Sequence, residues 1–359
     1  MEELVALLQH CLSPEEAARQ AAEARLGELK AQPGFAAALA RIGCSSGADA
    51  AVELRQMALS VLKGFVNSGG WLQGGVTAEE QEAVHALLLA GLSDPTPRVR
   101  TAVGAVIGRI AKDEWPDRWP GLIPALAGHV QSGCPDRMAG ALRCVQIFAD
   151  DISDSQLPAA LGGLWPTLHL VLQCDSRGAH QHFRARAMAV THSLLSMLRL
   201  RVGVGAPGSR EQLAMVLEPC LTVCLGIFRA ASSVAGEASV GYGVQIHTLR
   251  TVTLLFQSFP TSMIGALDAM LPELTSMLRN GLAAFEAQQV RGAADAEESA
   301  YDSDGTPLGF DDCVVQLLEL IGSLVEAPRL RKKMMCEPSR QRASVARGTR
   351  AESHRATCL

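Results

Sequence analysis

Apolar residues recur along most of the chain with the spacing of one face of an α-helix. Within 92–130 they fall at i, i+3, i+4, i+7, i+8 and i+11, namely Val99, Ala102, Val103, Val106, Ile107 and Ile110. The Asp-Pro-Thr-Pro run at 94–97 predicts a turn before this helix, because proline fixes φ and suits a first helical turn. Two Trp-Pro pairs within 115–120 predict a second turn, which leads into an apolar helix over 122–130. The pattern therefore predicts a helix, a tight turn and another helix.

The same apolar stripe returns at a nearly constant interval. Corresponding stripes begin at Leu54, Val99, Met138 and Phe183, which are 45, 39 and 45 residues apart. HEAT and armadillo repeats have a period of about 40–47 residues, and one such helical pair cannot bury both of its faces alone. We therefore predict an all-α fold, a HEAT/armadillo-like α-solenoid in which antiparallel helix pairs form a right-handed superhelix.

Seven helical pairs account for most of the chain. Six of them are predicted at 3–12 with 14–30, 34–43 with 51–67, 77–91 with 97–112, 119–132 with 136–152, 157–173 with 181–200, and 211–230 with 241–259. The seventh begins at Ser262 and is split by an acidic insert at about 290–309. After the insert the stripe resumes with Val314, Leu317, Leu318, Ile321, Leu324 and Val325. The glycine-rich segment 69–75 is predicted to be a flexible loop.

Composition narrows the class of protein. Apolar residues make up 48% of the 359 residues but aromatic residues only 4%, which favours a core of Ala, Leu and Val. The sequence contains no uninterrupted apolar run of about 18 residues, so we predict no membrane span. The acidic start of the chain does not resemble a secretory leader. The ten cysteines lack the spacing of a disulfide framework, which is typical of a reducing compartment.

The net charge of −5 conceals an asymmetry. From Arg329 onward there are 9 basic and 2 acidic residues, which leaves 23 basic and 35 acidic residues in 1–328, a net charge of about −12. An acidic body attracts basic proteins and binds nucleic acid poorly. Beyond Arg331 no apolar period remains, and we predict a disordered, basic tail.

No group of residues has the pattern of a catalytic, cofactor or metal site. Cysteine and histidine come close in sequence at Cys220 with Cys224, and at His180 and His182 with Cys174. A zinc site needs four convergent ligands with supporting contacts, so we interpret these as packed thiols and solvated imidazoles. The run 302–305 resembles the start of a calcium loop but lacks the glutamate at the twelfth position. We predict no enzyme activity, no cofactor and no metal.

Basic residues accumulate on the second helices of the pairs: Arg55, Lys63, Arg100, Arg109, Arg143, Arg184 and Arg186. Two interpretations stay open. These side chains either bond one repeat to the next, or form a basic strip that holds an acidic or nucleotide-bearing protein. The acidic residues of the insert are likewise either a solvated loop or an element that binds basic partners: Asp295, Glu297, Glu298, Asp302 and Asp304.

Three segments resemble one family. Residues 54–66, LRQMALSVLKGFV, resemble the R-Q-x-A-x-x-x-L-K helix of the importin-β N-terminal domain. Residues 113–120, DEWPDRWP, resemble the W-P-x-x-W-P segment that recurs in importins and exportins. Residues 301–321, YDSDGTPLGFDDCVVQLLELI, look most like the importin nine branch. Together the resemblance covers about residues 1–330, and only the N-terminal part of such a protein.

The resemblance implies a nuclear transport receptor that shuttles between nucleus and cytoplasm. It implies binding of Ran-GTP by the N-terminal repeats, of basic cargo (core histones, ribosomal proteins) and actin on the inner surface, and of FG nucleoporins, without direct contact to nucleic acid or membrane. It divides the chain into a Ran-binding region at 1–112, further HEAT repeats at 113–328 and the tail at 329–359. The chain is shorter than members of this family, and its tail matches none of them, which favours either a truncated isoform or a gene model that leaves the reading frame. The alternative is a generic HEAT-repeat scaffold for a protein complex, without GTPase binding.

By resemblance, the surface that contacts Ran falls on the second helices of the first repeats. The residues concerned are Arg55, Gln56, Leu59, Lys63 and Arg100. The stripe of this helix supports part of the assignment, because it places Leu54, Met57, Ala58, Val61 and Leu62 towards the core. Leu59 is then expected outside the core, as an apolar side chain that a partner could cover.

Overall fold

The structure, a computed structural model, describes residues 1–45, 51–73, 75–174, 181–232, 242–291 and 309–326. Within these ranges there are fifteen helices and no strand: α1 (Glu2–Cys11), α2 (Glu16–Leu29), α3 (Phe35–Gly43), α4 (Val52–Asn67), α5 (Gly70–Gln73), α6 (Ala78–Gly91), α7 (Pro97–Glu114), α8 (Leu122–Val130), α9 (Pro135–Asp151), α10 (Leu157–Gln173), α11 (Gln181–Gly203), α12 (Ser209–Ser232), α13 (Tyr242–Ser258), α14 (Pro260–Arg291) and α15 (Phe310–Glu326). The all-α prediction is confirmed, and the helical pairs lie close to their predicted bounds.

The chain divides into two compact units, residues 1–174 with 186–216 and residues 175–185 with 217–359. In the first unit, consecutive helices pack as pairs: α1 with α2, α3 with α4, α6 with α7, and α8 with α9. Helices of successive pairs also pack on each other, α3 on α6 and α8 on α10. On the other side α4 packs on α7, and α7 on α9, and we call these three helices the second-helix row.

The core of the first unit follows the apolar stripe of α7. Five of the six predicted positions, all except Ala102, have no exposed surface: Val99, Val103, Val106, Ile107 and Ile110. Two glycines let α9 approach its neighbours closely. A Cβ on Gly104 would lie 3.3 Å from Cys144 Cα, and one on Gly140 would lie 2.0 Å from the Leu92 carbonyl oxygen. The row is therefore packed backbone against backbone, which leaves little freedom for its helices to shift.

The glycine-rich segment 69–75 differs from its prediction as a flexible loop. Residues 70–73 form the short helix α5, and Trp71 is only 1% exposed. Its indole Nε1 donates a hydrogen bond of 2.8 Å to Glu114 Oε1 at the end of α7. A large aromatic side chain that buries its ring and pairs its one donor holds this segment in place despite the glycines around it.

In the second unit α13 packs against both α14 and α15. The buried stripe of α15 is Cys313, Leu317, Leu320 and Leu324. The predicted stripe was wrong at Leu318 and Val325, which are 53% and 47% exposed. Successive apolar residues around a helix cannot all face one neighbour, and only the side towards α13 and α14 is covered within the described residues.

One described helix, α12, is long and apolar enough to cross a membrane, with a mean hydropathy of 1.7 over its best window. Its Cys220, Cys224 and Phe228 have no exposed surface. A core helix of this length has the same composition, so the feature is weak evidence for a membrane span.

Candidate protein-binding surface

Arg55, the first of the predicted site residues, is used inside the fold. It lies near the start of α4 with 5% of its side chain exposed, and its Nη2 pairs with Asp94 Oδ2. Its Nε also donates to the Gly43 carbonyl at 3.3 Å. The other oxygen of Asp94 accepts from the Thr96 amide at 2.9 Å, just before α7 begins. Arg55 therefore fastens one helical pair to the turn of the next, and its guanidinium is not available to a partner.

Arg100 repeats this arrangement one pair further along. Its Nη1 donates to the Asp94 carbonyl at 2.6 Å, to the Pro95 carbonyl at 3.1 Å and to Asp136 Oδ1 at 2.9 Å. Arg100 is only 9% exposed, and its guanidinium is used by these hydrogen bonds inside the protein. Arg55 with Asp94 and Arg100 with Asp136 thus form a ladder that joins three successive pairs. The prediction that Arg55 and Arg100 present a partner surface is wrong as to their accessibility, because both are bonded inside this ladder.

Leu59 also differs from its expected position outside the core. It is 1% exposed and packs against α3, where a Cβ on Gly43 would lie 2.6 Å from Leu59 Cγ. Because α4 contacts α1 and α7 as well as α3, more than one side of the helix is buried. A single apolar stripe read from the sequence underestimates how much of such a helix is covered.

Gln56 and Lys63 are the two predicted residues that remain accessible. They belong to one polar face of α4 at spacings of four, three and four residues, formed by Gln56, Ser60, Lys63 and Asn67. Gln56 is half-buried and the other three are exposed. We call these four side chains the α4 face. They point away from the buried side of the helix, so they can reach a partner without disturbing the core.

Arg109 of α7 borders the α4 face and was not part of the predicted Ran site. Its Nε donates to Asn67 Oδ1 at 2.5 Å, and its Nη1 pairs with Asp113 Oδ2 at 2.7 Å. About a quarter of its side chain (24%) is exposed. The sequence placed Arg109 among the basic residues of the second helices, but the bond to Asn67 depends on how α4 and α7 pack. The accessible surface therefore extends across two helices.

The Trp-Pro segment next to this surface forms a buried polar cluster. Glu114, 1% exposed, accepts from Trp71 and has its Oε2 3.0 Å from His85 Nε2. The His85 ring stacks on Trp119 with centroids 3.8 Å apart and an angle of 7° between the planes. Burial raises the pKa of Glu114, but the hydrogen bonds from His85 and Trp71 outweigh it, and the pKa lies below its ordinary value of 4.5. Glu114 is thus ionised at neutral pH and ties α5, α6 and α7 together.

The cysteines are free thiols where the structure describes them, and no group of three metal-ligating side chains is found in those residues. The hydrogen bond with Cys220 raises the pKa of the Cys224 thiol, and burial raises it further. Protonated, buried thiols are poor metal ligands, since the thiolate is the form that binds. The acidic insert residues Asp295, Glu297, Glu298, Asp302 and Asp304 lie outside the described residues.

Comparison with known proteins shows which proteins the chain resembles. A Drosophila melanogaster protein named Importin-9 is 21% identical to the chain over 336 residues, which cover 90% of the chain and 32% of that protein. Yeast importin-β, Kap95p, has the same fold with a TM-score of 0.58 and 17% identity, over 82% of this chain and 36% of that chain. The chain is thus similar to importins in sequence and to importin-β in fold. No protein-family profile matches the chain.

The chain spans about a third of the length of the Importin-9 that it matches. A further Kap95p structure, 16% identical with a TM-score of 0.55 over 82% of this chain and 36% of that chain, is described by the statement that "Kap95p Binding Induces the Switch Loops of RanGDP to adopt the GTP-bound Conformation".

Proposed function

We propose that this chain is the GTPase-binding part of a nuclear transport receptor, and that it binds Ran-GTP through the N-terminal pairs in 1–112. The observation that carries the proposal is the α4 face, a row of accessible polar side chains on a helix whose opposite side is buried in the core. A partner that docks on such a rigid surface loses little entropy in ordering it. The binding of Ran by Kap95p, which has the same fold, supports the choice of partner.

Within the α4 face we assign the leading role to Lys63, with Gln56 and Arg109 beside it. Lys63 is the exposed cation of the face, and an interface charge at a rim chiefly accelerates and orients association. Arg55, Leu59 and Arg100 act in this proposal as supports that hold α4 and α7 in register, since their side chains are buried.

The rest of the proposal follows the family. The repeats in 113–328 and the acidic insert hold basic cargo such as histones or ribosomal proteins, FG nucleoporins bind elsewhere on the helices, and the receptor shuttles between nucleus and cytoplasm. The insert residues would recognise cargo by charge, because carboxylates attract the lysines and arginines of such proteins. Binding of a purified histone dimer before and after neutralising the five insert acids tests this part.

The decisive experiment is a pull-down with Ran loaded with GTP or with GDP. We expect a strong preference for the GTP form, and Lys63→Glu should weaken that binding by about tenfold, more at low salt than at high salt. Arg41→Glu is the matched control, because Arg41 is an exposed cation on α3, the paired helix outside the second-helix row.

Two outcomes would contradict the proposal. Equal binding of both nucleotide forms, or none, would leave the chain as a HEAT-repeat scaffold without a GTPase partner. Equal weakening by Lys63→Glu and Arg41→Glu would mean that overall charge, and not the α4 face, determines the affinity.

A further inference from the structure

A second group of basic residues lies further along the second helices, on α9 and α11. Ser193 Oγ of α11 donates to Asp150 Oδ1 of α9 at 2.8 Å, which fixes how these two helices align. Arg186 and Arg143 each precede this contact by seven residues, or about two helical turns. Residues that are offset equally along neighbouring helices lie at the same level, so Arg143 and Arg186 lie opposite each other.

Arg100 of α7 is a third arginine close to Arg143 and Arg186. A Cβ on Gly140 of α9 would lie 3.2 Å from Arg100 Cδ, so the stem of Arg100 runs against α9 at that glycine. Arg143 follows Gly140 by three residues, which puts it on the same face one turn further along. Three arginines from α7, α9 and α11 therefore converge within the first unit.

Within this group, and among the described residues, Arg186 lacks the carboxylate partner that Arg100 has. Arg100 is paired with Asp136, and Arg143 donates to Gln146 Oε1 at 3.0 Å. In the part of the chain that the structure describes, Arg186 makes no hydrogen bond or ion pair, although it is partly buried. Burial, together with the positive charges of Arg143 and Arg100, lowers the pKa of Arg186 to about 10. The fold therefore holds the Arg186 guanidinium in a place where burial and two neighbouring positive charges disfavour it. No carboxylate among the described residues pairs with this guanidinium.

We propose that Arg143 and Arg186 form a binding site for the carboxylates of an acidic segment of a partner protein. The guanidinium group is planar and binds a carboxylate with two parallel hydrogen bonds, and two such groups side by side fit adjacent acidic side chains. Arginine binds phosphate in the same bidentate way, but the net charge of about −12 over 1–328 repels a long polyanion such as nucleic acid. The site lies two repeats beyond the α4 face and does not depend on Ran binding.

The test uses the full chain and a fluorescein-labelled peptide of alternating glutamate and glycine. Fluorescence anisotropy at low salt should show saturable binding, and Arg186→Gln and Arg143→Gln should each weaken it by about tenfold. Arg199→Gln is the matched control, because Arg199 is an exposed arginine on the same helix as Arg186. We expect this variant to bind within about twofold of the unchanged protein.

A stability measurement separates a binding site from a structural role. If Arg186 serves to bind a partner, Arg186→Gln removes its repulsion with Arg143 and Arg100. The Tm then stays unchanged or rises, while peptide binding is lost. A lowered Tm together with weaker binding would overturn the proposal, because Arg186 would then be a packing residue. It would also be overturned by equal weakening in Arg199→Gln, by absence of peptide binding, or by binding of a single-stranded oligonucleotide at these arginines in place of the peptide.

Discussion

The ladder between helical pairs leads to a quantitative prediction for Asp94→Ala. Asp94 balances the charge of Arg55 and also accepts the Thr96 amide before α7. Its removal leaves a guanidinium that is 5% exposed with only the Gly43 carbonyl, and an uncompensated buried charge costs about 3–5 kcal/mol. The lost bond to Thr96 adds about 1 kcal/mol. We therefore expect Asp94→Ala to lower the free energy of unfolding by about 4–6 kcal/mol.

The reverse change, Arg55→Ala, leaves the buried carboxylate of Asp94 without its ion-pair partner. It should lower the free energy of unfolding by about 3–5 kcal/mol. The double variant should cost clearly less than the sum, because each single change leaves the other charge unpaired. Urea and thermal unfolding followed by circular dichroism measure these differences. Hydrogen exchange of the α4 and α7 amides shows where the structure opens, which matters because a repeat protein need not unfold in one step.

Lys63→Ala is the control from the same helix, and an exposed lysine should change stability by no more than about 0.5 kcal/mol. A cost of less than about 1 kcal/mol for Asp94→Ala, or single effects that simply add, would show that the ladder does not hold the pairs together in this way. The same measurements separate structure from binding. Arg55 should affect stability, while Lys63 should affect only the affinity for the partner.

Two further predictions concern the first unit. Glu114→Gln should destabilise the protein at neutral pH and lose its effect in acid: since the folded-state pKa of Glu114 lies below 4.5, its contribution is present above that value and disappears as the pH falls through the folded-state pKa. The free energy of unfolding of the unchanged protein and of Glu114→Gln should be compared from neutral pH into acid. A difference between the two that stays constant with pH would contradict this prediction. Gly140→Ala should cost about 1–3 kcal/mol, because its Cβ would meet the backbone oxygen of Leu92 at 2.0 Å. Gly162→Ala, on α10 with no atom within 4 Å, should be neutral or stabilise the fold by up to about 1 kcal/mol, and equal Tm values for the two variants would refute the packing argument.

The sequence by itself determined the fold class and most helix bounds of this protein. Helix formation depends on the spacing of apolar residues and on turn residues, and both are local properties. The stripe from Val99 to Ile110 and the Asp-Pro-Thr-Pro turn before it were enough to predict α7. The period between stripes predicted the solenoid for the same reason, since each repeat packs only on its neighbours.

Only the tertiary structure decided which side chains of those helices are available to a partner. Arg55 and Lys63 stand eight residues apart on α4, and the pattern of one helix cannot tell that Asp94, from the next pair, neutralises the first and leaves the second in solvent. Leu59 was misplaced for the same reason, because its cover comes from α3 at Gly43. Burial is a property of the neighbours that a helix acquires on folding, and contacts between residues about forty positions apart are not encoded in any local spacing.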